Sequence, residues 1–265
     1  MPELPDVETF TRYFNRTAVR KKVADIKVNH KKILDGGSEH ALRSFKGKSF
    51  VKASRYGKYL FAPTKNKQDE MMYLHFGMTG YLEYGKQDQL DTDHDRMDIF
   101  FQNGNKLAFS NQRMLGRAGK TQSIEKFRRE KDLGPDAMDI EKQEFISAFK
   151  KTRGKIKSAL MNQSLLAGIG NVYSDEILFQ AGIFPGVSPQ DLSAKQLGTL
   201  HTVMRRVLRV TVRHQADPRR FPRGYLTRYR EEGRSCPGKC PGKIKTAKFS
   251  GRTAYFCPHC QPQKI

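Results

Sequence analysis

The chain has 265 residues, room for two domains with real cores at about 100 to 200 residues each. Its 49 lysines and arginines outnumber 27 aspartates and glutamates for a formal net charge of +22, an excess that favours polyanions over membranes and makes binding salt-dependent. No apolar run approaches the roughly 18 residues of a membrane-spanning helix, and the N-terminus lacks the order of a signal peptide, so a cytoplasmic setting is expected, nucleoid-associated in a bacterium. Residues 3–20 carry helical spacing in Val7, Phe10, Tyr13 and Phe14, with acids at the start where a helix dipole favours them. From about 23 to 120 the pattern is one of short strands: 23–28, 50–53, 59–61, 71–76 and 98–101, the last followed by the hairpin signal Asn103-Gly104 and a further strand over 106–109. Such a series predicts a sandwich or barrel. Residues 131–136 read as a linker, and beyond it helices are expected over 144–151, 156–161, 171–181 and 193–214, the last opened by the capping box Ser193-x-x-Gln196.

Chemistry concentrates at five places. Removal of Met1 would expose Pro2 as a secondary amine, a nucleophile with a reference pKa of roughly 8, and Glu3 beside it can move protons while the amine forms an iminium. The plainer alternative is a loose terminus. Lys58, in Arg55-Tyr-Gly-Lys-Tyr-Leu60, is either a placed amine or a lysine on a solvated strand face. Glycines flank Met78 in Phe76-Gly-Met-Thr-Gly80, and Gly116 follows Leu115 in Asn111-Gln-Arg-Met-Leu-Gly116; both apolar residues are core, or tips that wedge into a base stack. Gly168-Ile-Gly-Asn171 leads into a helix whose free amides can cradle an anion, with Asn171 placed to cap it or to donate to the same phosphate, or is an ordinary turn.

All four cysteines lie between 236 and 260, as Cys236-x3-Cys240 and Cys257-x2-Cys260 separated by sixteen residues. Two close thiolate pairs suit tetrahedral structural zinc with no ligand position left for catalysis. The intervening stretch reads as a hairpin whose Lys243, Lys245, Lys248 and Arg252 face a phosphate partner.

Taken together and in order, MPELPDVET, RYGKYL, LHFGMTG, GIGNVYSDEILFQAGI and the four-cysteine tail with GRTAYFC resemble the formamidopyrimidine-DNA glycosylase and endonuclease VIII family over essentially the whole chain. The resemblance implies an α+β multi-domain protein: a β-sandwich behind an N-terminal helix (1–130), a helix–two-turn–helix domain (131–222) and a zinc-finger hairpin (223–265). It implies one structural zinc per chain, a monomer, and double-stranded DNA carrying a damaged base or abasic site as partner. Pro2 corresponds to the family's Schiff-base nucleophile, Glu3 to its proton donor, Lys58 to the lysine that assists strand cleavage and Arg252 to the finger arginine that holds phosphate and assists elimination. Lys157 and Asn171 correspond to backbone-phosphate contacts, His94 to a DNA-contacting histidine, and Met78 and Arg113, with Leu115, to residues that fill the gap left by an everted base. The activity implied is that of a bifunctional glycosylase and abasic-site lyase of base excision repair, acting on oxidised or ring-opened bases and closing with β,δ-elimination. A DNA-binding paralogue that does not cut is the alternative.

The chain departs from the family pattern where Met114 and Leu115 replace an arginine and an aromatic residue, which leaves opposite-base recognition open. Asp6 stands where many members have Glu, and the first cysteine pair has x3 rather than x2 spacing. Residues 215–235 lack the longer Ser/Thr-rich loop that covers everted 8-oxoguanine, so strong activity on that lesion is not expected.

Overall fold

In the computed structural model, which describes residues 1–37, 39–65, 67–90 and 93–263 (67–69 by backbone alone), the first helical pattern becomes α1 (Leu4–Thr17). Glu3 and Asp6 form a reciprocal capping box, the Asp6 carboxylate accepting from the Glu3 amide at 2.9 Å. Its apolar face, Leu4, Val7 and Phe14, is wholly buried. Two compact units follow from the contacts, 1–131 and 132–265.

The first unit is a sandwich of two four-stranded antiparallel sheets. Strands β1 (Val23–Val28), β2 (Ser54–Tyr56), β3 (Tyr59–Thr64), β4 (Lys67–His75), β5 (Gly80–Lys86), β6 (Asp95–Phe101), β7 (Asn105–Asn111) and β8 (Arg117–Thr121) are arranged as β1-β6-β7-β5 and β2-β3-β4-β8. Ile26, Leu60, Leu74, Met97, Ile99 and Phe109 share one core with Val7 and Phe14 of α1. A short helix, α2 (Glu39–Arg43), packs against β1 and β8. The second sheet is buried on both faces: Leu60 and Ala62 point into the sandwich, while Tyr59, Phe61 and Tyr73 meet Phe127 of α3 (Ile124–Glu130) at ring separations of 4.9, 5.2 and 4.5 Å. That double burial explains the continuous apolar run over 59–62.

Four strand assignments differ from the sequence reading, which predicts a strand over 50–53 and none at β2, β5 and β8. Residues 50–53 do not form a continuous strand: Phe50 makes one isolated bridge to Thr64 of β3, and the Ala53 amide and carbonyl bond the Asn15 side chain of α1 at 2.8 and 3.0 Å instead. β8, Arg-Ala-Gly-Lys-Thr, has no alternating apolar signal, and Gly119 is required there because a Cβ would lie 2.4 Å from the Tyr73 hydroxyl oxygen.

The second unit holds α4 (Lys142–Lys151), α5 (Ile156–Met161), α6 (Asn171–Gln180) and α7 (Ala194–Arg213). Ser193 and Gln196 form the expected capping box of α7. α7 packs on α4 and α6 and buries Leu197, Leu200, Met204, Val207 and Leu208, while its His201 ring meets Phe145, itself stacked on Phe149. The tail forms a hairpin, β9 (Lys245–Phe249) and β10 (Arg252–Phe256), turned by Ser250 (φ 47°) and Gly251 (φ 73°). No helix among the described residues is long and apolar enough to cross a membrane.

Candidate active site and metal centre

The start of the chain is fixed, not loose. Pro2 is half-buried and Glu3 is 1% exposed at the N-cap of α1. Burial raises the Asp6 carboxyl to about 6; its hydrogen bond from the Glu3 amide opposes the rise. α1 packs across β2, β3 and β5 and is tied there by the Arg55 Nε to Glu8 Oε2 ion pair at 3.5 Å and by Phe10 on Phe76 at 4.4 Å. Lys58, only 8% exposed, occupies the two-residue turn between β2 and β3, where Gly57 at φ 56° supplies the positive dihedral. A solvated strand face is therefore not its environment.

Within the field of Lys58 is His75, which the sequence reading passed over as part of a strand. Burial first, then the Lys58 and Arg117 cations, lower its pKa to about 4, so the imidazole is neutral at pH 7. The ring lies 4.8 Å from that of Tyr59, and its Nδ1 accepts from the Gly77 amide at 3.3 Å.

Met78 and Leu115 are loop tips and not core: they are 37% and 41% exposed, among few large apolar side chains so placed. Their loops are held together at the base. Asn111, fully buried, donates from Nδ2 to the Phe76 carbonyl at 2.9 Å and accepts at Oδ1 from the Leu115 amide at 3.0 Å. The Arg113 amide donates to Thr79 Oγ1 at 3.1 Å, leaving the Arg113 side chain exposed. A Cβ on Gly77 would come within 2.4 Å of the Leu115 carbonyl carbon, so the backbones touch. Half-buried His94 joins the same base: its carbonyl accepts from the Asn111 amide at 2.8 Å, and its Nδ1 lies 3.3 Å from Arg96 Nη2. Asn111 was visible in the sequence as an Asn ending a strand before a glycine-closed loop, a pattern too common to single it out.

In the second unit Gly170, not Asn171, is the N-cap of α6, and Asn171 is the first helical residue; the expected capping by Asn171 is thereby corrected. A glycine there lets the chain enter the helix without a side chain over the amides. Asn171 Oδ1 is buried without a hydrogen-bond partner among the described residues, at the amide end of α6. Lys157 also departs from expectation. It is fully buried, and its ammonium binds Asp175 Oδ1 at 2.5 Å, Ser174 Oγ at 2.9 Å and the Asn171 carbonyl at 3.1 Å, so it lies beneath the turn and not at a surface where phosphate would be met. Arg230 completes this support, pairing with Asp175 Oδ2 at 2.9 Å and stacking on Tyr255 of β10 at 4.7 Å. Burial raises the Asp175 pKa and the two cations oppose it. Arg230 lies more than fifty residues from Asp175 in sequence, and no local spacing signals the pair. Arg252 is exposed at the hairpin tip, and Ser250 beside it meets Ser158 of α5, Oγ to Oγ, at 2.9 Å.

The four cysteines converge. Their Sγ atoms lie within 4.8 Å of one another, with separations of 3.7 Å for Cys236 and Cys260, 3.7 Å for Cys240 and Cys257, and 3.3 Å for Cys240 and Cys260. A tetrahedron with metal–sulfur bonds of about 2.3 Å has edges of about 3.8 Å, close to these values. The Gly238 amide donates to Cys236 Sγ at 3.3 Å, and a Cβ on Gly242 would stand 2.7 Å from Cys257 Sγ, so glycines make room for the cluster. The residues fit a four-thiolate metal centre.

A β-sandwich with a buried acid at its first helix, a glycine-led helix end in a second unit and a cysteine-clustered hairpin, in a chain of net charge +22, define a multi-domain class suited to a polyanionic partner. Two family models place the chain within that class: the formamidopyrimidine-DNA glycosylase N-terminal domain matches residues 1–118 and the formamidopyrimidine-DNA glycosylase H2TH domain residues 133–222. The chain belongs to the formamidopyrimidine-DNA glycosylase family, a family of DNA-repair glycosylases. It is 30% identical to the formamidopyrimidine-DNA glycosylase of Prochlorococcus marinus, covering 98% of this chain and 100% of the relative. With that of Haemophilus influenzae it shares 31% identity over 98% and 99%. Among solved structures, Lactococcus lactis Fpg in complex with abasic-site DNA superposes with a TM-score of 0.88 at 26% identity, covering 99% and 100% of the two chains. A point mutant of the same Lactococcus lactis protein with Fapy-dG DNA gives a TM-score of 0.89, also at 26% identity and the same coverage.

Proposed function

We propose that the protein is a bifunctional DNA glycosylase and abasic-site lyase of base excision repair whose nucleophile is the amine of Pro2. The observation that carries the reading is the burial of Glu3, 1% exposed and locked in a capping box directly beside Pro2. A carboxyl so placed can shuttle a proton at the sugar without losing its position. The reaction requires Pro2 to be the N-terminal residue, because in a Met1–Pro2 peptide bond its nitrogen carries no attacking pair.

In this reading the lesion is rotated out of the duplex at a cost of a few kcal/mol of stacking. Met78, Leu115 and Arg113 offset that cost by filling the gap. The Pro2 nitrogen bonds to the anomeric carbon as the bond to the base breaks, and the base leaves with a proton. The ring then opens to an iminium, which acidifies the adjacent sugar proton; its loss expels the 3′ phosphate, and a second elimination expels the 5′ phosphate and leaves both strand ends phosphorylated. Lys58 assists the eliminations by lowering the charge that develops on the leaving phosphates, as does Arg252. Asn171 and the amide end of α6 hold a backbone phosphate, with Lys157 supporting them from below. His94 contacts the duplex beside the paired loops. Zinc in the four-cysteine centre fixes the hairpin that carries Arg252 and takes no part in bond breaking.

Ring-opened purines are the substrate class best supported, since solved relatives hold Fapy-dG and N7-benzyl-Fapy-dG DNA. Within residues 215–235 the Leu226–Tyr229 turn packs on α6, with the Thr227 amide and hydroxyl both bonding Glu176 at 2.7 Å. The segment also lacks a longer Ser/Thr-rich loop to cover an everted 8-oxoguanine.

Borohydride trapping with Met1-processed protein on an abasic-site duplex tests the reading. A covalent adduct is expected, and a chain whose Pro2 amine is blocked should lose most of it. Duplex binding with no adduct would favour the non-cutting paralogue, and an adduct undiminished in a Pro2-blocked chain would move the nucleophile to another amine such as Lys58.

A further inference from the structure

A groove in the second unit has no part in the site above. Lys142 of α4 and Arg205, Arg206, Arg209 and Arg213 of α7 line this open space of about 470 Å³. No acidic side chain lines it, and none of the five cations makes an ion pair among the described residues. Arg205 Nε is buried without a hydrogen-bond partner there. The groove shares no residue with Lys157, Asn171, Arg252 or the cysteines.

Helix stability does not account for this row. Arg205, Arg209 and Arg213 stand at i, i+4 and i+8, and each like-charge i,i+4 pair costs a few tenths of a kcal/mol. The helix dipole rewards a cation in the last turn, which accounts for Arg213 but not for Arg205, Arg206 or Arg209 further in. A bound polyanion would offset the repulsion.

We propose that the α7 groove is a second DNA-binding surface, one that takes the sugar–phosphate backbone of a duplex segment other than the one being repaired. From Arg205 to Arg213 the helix rises about 12 Å, a length over which a duplex carries about seven phosphate charges. Guanidinium forks match phosphate oxygens in pairs and carry no base specificity, so the segment is held regardless of sequence. An open row of cations suits an extended polyanion better than a small anion, which would leave most of the row unused. Two surfaces on one protein allow transfer between segments without full release, which suits a search for rare lesions. The inference rests on the reading of this protein as a DNA-processing enzyme.

The test uses the full-length protein saturated with an abasic-analogue duplex, to which a fluorescent undamaged duplex of about twenty base pairs is added and followed by anisotropy over a salt series. A ternary complex is expected. Arg205→Gln, Arg206→Gln, Arg209→Gln and Arg213→Gln combined should weaken the second duplex at least tenfold and lower its salt slope by about 3 to 4, with the first duplex bound within twofold of the unaltered protein. The exposed pair R209Q and R213Q, which disturbs no buried atom, should give about half that change in slope. Unchanged affinity and slope in this folded double variant would overturn the proposal, as would a poly-glutamate peptide occupying the groove where the undamaged duplex does not. Failure of the unaltered protein to bind the first duplex would count against the proposed function instead; the same variants titrated with undamaged duplex alone would then read the groove.

Discussion

The Asn111 amide donates to the Phe76 carbonyl at 2.9 Å, and through this bond one buried side chain fixes two loops that are remote in sequence. Its other end accepts from the Leu115 amide, so the exposed tips Met78 and Leu115 are positioned by a residue that is itself hidden. A wedge works only if it does not yield when a base stack pushes back. Asn111→Ala should therefore leave a carbonyl and an amide unpartnered and cost about 2 to 4 kcal/mol of stability, read by denaturant unfolding. In activity, release of a base-paired lesion should fall tenfold or more, while trapping on a preformed abasic site should fall much less, because no intact base then has to be displaced.

Asp6 supplies a pH test. Its carboxyl is raised from 3.8 to about 6 by burial. The unfolded chain gives up that proton first as pH rises, so Asp6 favours the fold below about pH 4 and its ionisation costs stability progressively up to and beyond pH 6. Asp6→Asn keeps an acceptor for the Glu3 amide and removes the ionisation. Thermal unfolding should show the variant more stable than the parent at pH 8, by on the order of 3 kcal/mol, with the gap closing at pH 4.

His75 should stay neutral well below the usual histidine range. With its pKa lowered to about 4 in the folded protein, the unfolded chain binds the proton at about 6.5 and stability falls as pH drops between those values. Imidazole resonances followed by NMR should titrate near 4. In Lys58→Met the midpoint should rise, since one cation beside the ring is gone; an unmoved midpoint would show that burial and Arg117 hold it without Lys58.

Removal of Lys157 should be felt as lost stability before lost contact with DNA. Lys157→Met leaves Asp175 buried with Arg230 as its remaining cation, and loss of one partner from a buried ion pair costs about 3 kcal/mol or more. Urea unfolding measures this. The salt slope of duplex binding at the lesion site should change little if Lys157 touches no phosphate, and should fall by about 1 if it does.

Metal removal separates the hairpin from the rest of the unit. One zinc per chain should be found by elemental analysis. A strong chelator, or Cys257→Ser, should disorder 236–260 and weaken duplex binding at least tenfold while α7 and its capping box keep their circular dichroism. Retention of full binding after metal loss would show that hairpin packing alone, Ser250 on Ser158 and Arg230 on Tyr255, holds Arg252 in place.

The sequence by itself determined what local rules govern: α1 and α7 from their period and caps, the β9–β10 hairpin from its paired cysteines, and the motif set that carries the family resemblance. These features depend on neighbours a few residues apart, so spacing reports them directly. It did not show whether Met78 and Leu115 are core or tip, because an apolar residue between glycines has the same signature in both places. Tertiary structure settled that by placing Asn111 under both loops. It also withdrew Lys157 from the surface and set Gly170, not Asn171, at the helix start, since burial and ion pairing with Asp175 and Arg230 arise between segments remote in sequence. Residues 50–53 stop at a single bridge, Phe50 to Thr64, for the same reason: the partner that satisfies Ala53 is an asparagine thirty-eight residues earlier, and no alternation pattern encodes it.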